Sequence, residues 1–118
     1  MAISKQTKQE IVQRLLVTKQ KGHNLEIALR FKGKTEDADQ VVEKTAELTS
    51  QIDILLGQII DEWLDQSARV VEDIRRTNAK LQESVRAITK GVEIAQNVVK
   101  AIGFIDDAAD IASRFVRI

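Results

Sequence analysis

The sequence predicts an all-α protein, an antiparallel bundle of three long amphipathic helices and a short C-terminal one, folded as one domain over residues 1–118. Three observations carry this expectation. Proline is absent and glycine occurs five times, so chain-breaking punctuation is scarce. Three Phe, one Trp and no Tyr leave a core made of Leu, Ile, Val and Ala. Above all, one apolar stripe runs from Val41 through Leu48, Ile52, Leu55, Ile59, Trp63, Val70, Ile74, Leu81, Val85, Ile88, Val92, Ala95 and Val99 to Ile102. Its members recur mostly every three or four residues, which at 100° per residue holds them within roughly 60° of one direction.

The first helix is expected over about 4–32. Thr7-x-x-Glu10 has capping-box spacing, and Ile11, Val12, Leu15 and Leu16 then form a face. Gly22-His23-Asn24 is a weak point, since Gly costs about 1 kcal/mol against Ala inside a helix. Leu25, Ile27, Leu29 and Phe31 alternate with Glu26, Ala28, Arg30 and Lys32, a strand-like period of two. No partner strand is evident and a lone strand leaves its backbone unpaired, so residues 25–31 are read as helix. Lys32-Gly33-Lys34-Thr35 is the clearest turn, with Gly33 suited to a left-handed helix terminus.

The second helix is expected over about 36–65 and the third over about 67–102, joined near Ser67. The alternative is that both are one continuous rod of about 90 Å at 1.5 Å per residue. Charge favours the fold-back. Residues 1–34 sum to +6, residues 35–73 to −9 and residues 74–118 to +3, so the formal net charge of zero conceals three blocks. An acidic helix between two basic ones suits an antiparallel bundle in which the central element attracts both neighbours. Whether residues 65–78 turn or stay helical separates the two forms. Gly103 ends the stripe, and Ile105, Ala108, Ala109, Ala112 and Val116 open a new face on a short helix over about 104–117.

Without Cys, disulfides, thiolate metal sites and thiol catalysis are excluded. The start lacks a basic-then-apolar signal pattern, and no stretch reaches the roughly 18 apolar residues of a membrane span. A cytoplasmic protein is the expectation.

Two carboxylate patterns come nearest to chemistry. Asp106-Asp107-Ala-Ala-Asp110 resembles the aspartate-rich signature of isoprenoid synthases, in which such residues hold magnesium ions that bind a diphosphate. That resemblance covers five residues, and a chain this short hardly supplies the second metal-binding helix and the large cavity that the family pattern also needs. The same Asp residues are explained as the first turns of a helix whose last turn holds Arg114 and Arg117, matching the macrodipole. Glu36-x-x-Asp39 and Glu62-x-x-Asp65 resemble the paired acidic motifs of all-α nucleoside triphosphate pyrophosphohydrolases, which bind magnesium between bundled helices. Eighteen acids in 118 residues make such pairs expected by chance. No part of the chain resembles a family closely enough to be assigned to it.

His23 is the only histidine, so a His-based metal site has no second ligand of that type. Trp63 lies on the stripe and reads as core. Gly-rich phosphate loops and nucleophile elbows are missing, and no cofactor is expected. The basic first helix lacks interleaved aromatics before Phe31, so nucleic acid is not expected as a partner.

The favoured reading is a non-enzymatic interaction or assembly module with coiled-coil-like helix faces, a homo-oligomer or the partner of another helical protein. Ile54, Ile60 and Leu64, off the stripe's centre, and Ile105, Ala109, Ala112 and Val116, on the terminal helix, are its candidate interface residues. The alternative is a membrane-active protein that inserts the apolar segment Val92 to Val116. The third reading is a small magnesium-dependent nucleotide pyrophosphohydrolase.

Overall fold

In the computed structural model, residues 5–57 and 70–114 are described. Four helices account for them: α1 (Lys5–Phe31), α2 (Thr35–Gly57), α3 (Val70–Thr89) and α4 (Ile94–Ser113), with no strand among the described residues. Each helix buries residues at steps of three and four. α1 buries Ile11, Leu15, Thr18, Gly22, Leu25 and Leu29, and α2 buries Ala38, Val41, Thr45, Leu48, Ile52 and Leu55. α3 contributes Val70, Ile74, Asn78, Leu81, Val85 and Ile88, and α4 contributes Val98, Ala101, Ile105, Ala108 and Ala112. A mean step of about 3.5 keeps one seam on each helix facing its neighbours. The core therefore runs the length of the molecule as stacked layers of Leu, Ile, Val and Ala.

The two-residue alternation at 25–31 resolves as helix. Leu25 and Leu29, four apart, point into the core, while Ile27 and Phe31, also four apart, point out and are 63% and 92% exposed.

Both described turns have the same construction. After α1, Gly33 sits at φ 73°, Lys34 N–H donates to the Leu29 carbonyl (2.8 Å) and Gly33 N–H to Arg30 (3.1 Å). After α3, Gly91 sits at φ 77°, Val92 N–H donates to Ala87 (2.8 Å) and Gly91 N–H to Ile88 (3.0 Å). These are Schellman motifs, which satisfy the last carbonyls of the helix through a glycine in the left-handed region.

The second of these turns corrects the expected boundaries. Instead of one helix over 67–102 followed by a short one from 104, the chain breaks at Lys90–Glu93, and Gly103 lies inside α4 with open space around it. The stripe concealed this break because Ile88, Val92, Ala95, Val99 and Ile102 keep their spacing through the turn. Only Ile88 of these five is fully buried; Val92 and Val99 are exposed, and the core resumes on Val98 and Ala101. The expected join near Ser67 lies outside the described residues. Residues 70–78 are helical.

The helices pack as a square. α1 lies against α2 and α3, α4 lies against the same two, and α1 meets α4 more sparsely across the middle. Partners between α1 and α2 fall in opposite chain order, Arg30 with Asp39 and Gly22 with Thr45. Between α1 and α3 they rise together, Thr18 with Asn78 and Lys21 with Gln82. The molecule measures 46 × 21 × 17 Å. A continuous rod over α2 and α3 would span about 80 Å at 1.5 Å per residue, so that alternative is set aside: both helices flank α1.

Candidate interaction surfaces

Two of the buried polar side chains tie helices together. Thr18 Oγ1 donates to Asn78 Oδ1, and Asn78 Nδ2 donates to the Arg14 carbonyl (3.1 Å), which ties α1 to α3 at one layer of the core. Lys21 Nζ donates to Gln82 Oε1 (2.6 Å) at the edge of the same interface. Between α1 and α2, Gly22 permits close approach: a Cβ there would lie 2.6 Å from Thr45 Oγ1. That hydroxyl is buried with no hydrogen-bond partner among the described residues.

Ion pairs join the helices at their surfaces. Arg30 bridges Glu26 (2.9 Å) and Asp39 (3.0 Å), and these hydrogen bonds, Glu26 first, raise its pKa. Lys44 on α2 meets Asp106 on α4 at 3.3 Å; that hydrogen bond, and then the charge of Asp106, raise the lysine pKa. The first bridge follows the expected attraction of an acidic α2 for a basic α1. The second runs against the block pattern, with the base on the acidic segment and the acid on the basic one.

The carboxylates considered for magnesium are dispersed. Asp106 and Asp39 are engaged as above, Asp110 pairs with Arg114 at 2.9 Å, and Asp107 and Glu36 are exposed on different helices. Glu62, Asp65 and Trp63 lie outside the described residues. Among the described residues no three His, Cys, Asp or Glu side chains are grouped to hold a metal ion. His23 is exposed on α1.

Of the candidate interface residues, Ile54 is exposed and Ala109 half-buried, whereas Ile105 and Ala112 are fully buried in this chain's own core. Those two correct the expectation of an open face: α4 spends it on the chain's own bundle. Ile60, Leu64 and Val116 lie outside the described residues. The segment that a membrane-active protein would insert supplies Val98, Ala101, Ile105 and Ala108 to the same core. No helix among the described residues is long and apolar enough to cross a membrane.

The surfaces that do stand out are two. Phe31 and Ile27 project beside an apolar groove of about 410 Å³ at the α1–α3 seam, lined also by Ala28, Val85 and Thr89, with Asn24 and Lys32 at its rim. On α4, Val99 is 72% exposed. The alternation at 25–31 held the signal for the first: on a helix, two interleaved pairs four residues apart give two apolar faces, and only one can enter the core.

Charge divides along the same line. α1 carries six basic and two acidic residues and its neighbour α3 four and three, whereas α2 carries one and six and its neighbour α4 one and three. The α1–α3 flank is thus net basic and the α2–α4 flank net acidic.

Comparison with protein-family models, with curated proteins and with solved structures finds no match to this chain.

Proposed function

We propose that this protein is a non-enzymatic helical assembly module that associates with itself. The observation that carries the reading is a core already closed within one chain, beside large apolar side chains left in solvent: Phe31, Val99 and Ile27. A single exposed apolar residue needs no explanation, but a groove flanked by Phe31 and Ile27 is the kind of patch that marks a binding surface. In the architecture that goes with this reading, α1–α2 and α3–α4 are two antiparallel hairpins set side by side, with both glycine turns at one end. The opposite chain order of the α1–α2 partners and the common order of the α1–α3 partners support it. A chain without cysteine suits a reducing compartment, and the cytoplasm is the location this reading implies.

Sedimentation equilibrium tests the function directly. A mass above that of the 13.2 kDa chain at tens of micromolar is the expected result. A stable monomer across that range removes the proposal.

A further inference from the structure

Resting on self-association, we propose its mode: the apolar groove between α1 and α3 of one copy receives the Val99 surface between α2 and α4 of the next, head to tail. The groove's only charged lining residue is Lys32, and Arg86 and Lys90 follow next to its lining residues Val85 and Thr89. None of these three cations has a carboxylate partner among the described residues. Two such grooves placed face to face would set cation against cation, and like charges across an interface oppose pairing. The occupant must therefore be apolar and acidic.

The opposite flank of the same molecule has both properties. Val99 lies one heptad before Asp106, as Asp37 lies one heptad before Lys44, and Lys44 meets Asp106. With α2 and α4 running in the same direction, Val99 stands level with the first turns of α2. There Glu36, Gln40 and Glu43, exposed at steps of four and three, form one outward stripe, and neither glutamate has an ion-pair partner among the described residues. An apolar knob on the net-acidic α2–α4 flank, with Lys100 beside it as the one base of α4, faces away from an apolar groove on the net-basic α1–α3 flank. Because the two surfaces lie on opposite flanks, the contact is heterologous, and each copy that docks leaves a free surface for another.

The test uses the two exposed residues, whose replacement leaves the core intact: Phe31→Asp and Val99→Asp in the full chain. Wild type is expected to grow beyond a dimer as its concentration rises, and to fall back towards the monomer when salt is raised from about 0.05 M to about 0.5 M. Each variant alone is expected to sediment as a monomer with unchanged helical circular dichroism. Their equimolar mixture is expected to stop at a 1:1 dimer, since the intact groove of Val99→Asp takes the intact Val99 surface of Phe31→Asp and the other junction sets Asp against Asp. If Val99→Asp associates as wild type does while Phe31→Asp does not, the groove pairs with itself; this mode is overturned and self-association stands. Association of wild type that neither substitution weakens likewise overturns the mode alone. A wild type that stays monomeric overturns both.

Discussion

At the scale of single residues, the tight packing at Gly22 turns an ordinary rule around. Gly→Ala inside a helix normally gains about 1 kcal/mol. At Gly22 the added methyl would meet Thr45, with Oγ1 at 2.6 Å and Cγ2 at 3.3 Å, so the stiff, buried threonine side chain would have to turn or shift. Gly22→Ala is expected to destabilise by about 1–3 kcal/mol in urea titration, the usual cost of overpacking. Adding Thr45→Ala should return most of that loss, because it clears the space and removes a buried hydroxyl that bonds nothing. A double variant no more stable than Gly22→Ala would refute the packing account. Lys44 supplies a second residue-level outcome. Asp106 holds its ammonium above the ordinary lysine value of about 10.4. A raised folded pKa means that the pair's contribution is complete below that value and fades as pH climbs through the folded one. Asp106→Asn should therefore lower the Lys44 titration midpoint followed by NMR at its side chain, and should flatten the alkaline fall in stability.

At the scale of elements, the two turns show what a sequence displays and what it hides. The turn at Gly33 is legible because Lys32-Gly33-Lys34-Thr35 interrupts the apolar pattern and a capping residue follows. The turn at Gly91 uses the same hydrogen bonds but interrupts nothing, since Ile88, Val92, Ala95 and Val99 continue the three-four spacing across it. Periodicity reports which way side chains point along an unbroken helix; it says nothing when two helices meet with their phases matched. Gly103 is the converse case, a glycine that looked like punctuation and sits within α4. Energetics at the hidden turn are open to measurement. Gly91→Ala should cost about 1–2 kcal/mol, because an L-residue pays that much in the left-handed region. Glu93 already pays it: it stands at φ 42° at the head of α4 with no side-chain cap. Glu93→Gly is expected to raise stability by about 1 kcal/mol in the same titration, against the general trend for glycine substitutions. If Glu93→Gly is neutral or destabilising, strain at that position is not limiting.

At the scale of the whole molecule, an all-helical chain could be read from its composition and stripe, but not which apolar residues stay outside. Ile105 and Ala112 look like spare surface on a short terminal helix, and become core once α4 is twenty residues long and packs against both α2 and α3. Phe31 and Val99 look like members of core-facing patterns, and become surface because each helix can turn only one seam inward. That division also determines how the proposed self-association couples to folding. In many obligate dimers the protomer's core is shared, so dilution unfolds the chain. Among the described residues the core runs within one chain, from Ile11 in α1 to Ala112 in α4, and the exposed apolar side chains are peripheral to it. In the proposed assembly, dilution should therefore separate copies without melting helices. The far-UV circular dichroism per residue should stay constant while sedimentation mass falls to that of one chain. The melting temperature should rise with protein concentration only by the mass-action increment, equivalent to about 2.7 kcal/mol at a hundredfold excess over Kd. Loss of helical signal in step with loss of mass would show instead that the surfaces around Phe31 and Val99 complete a shared core.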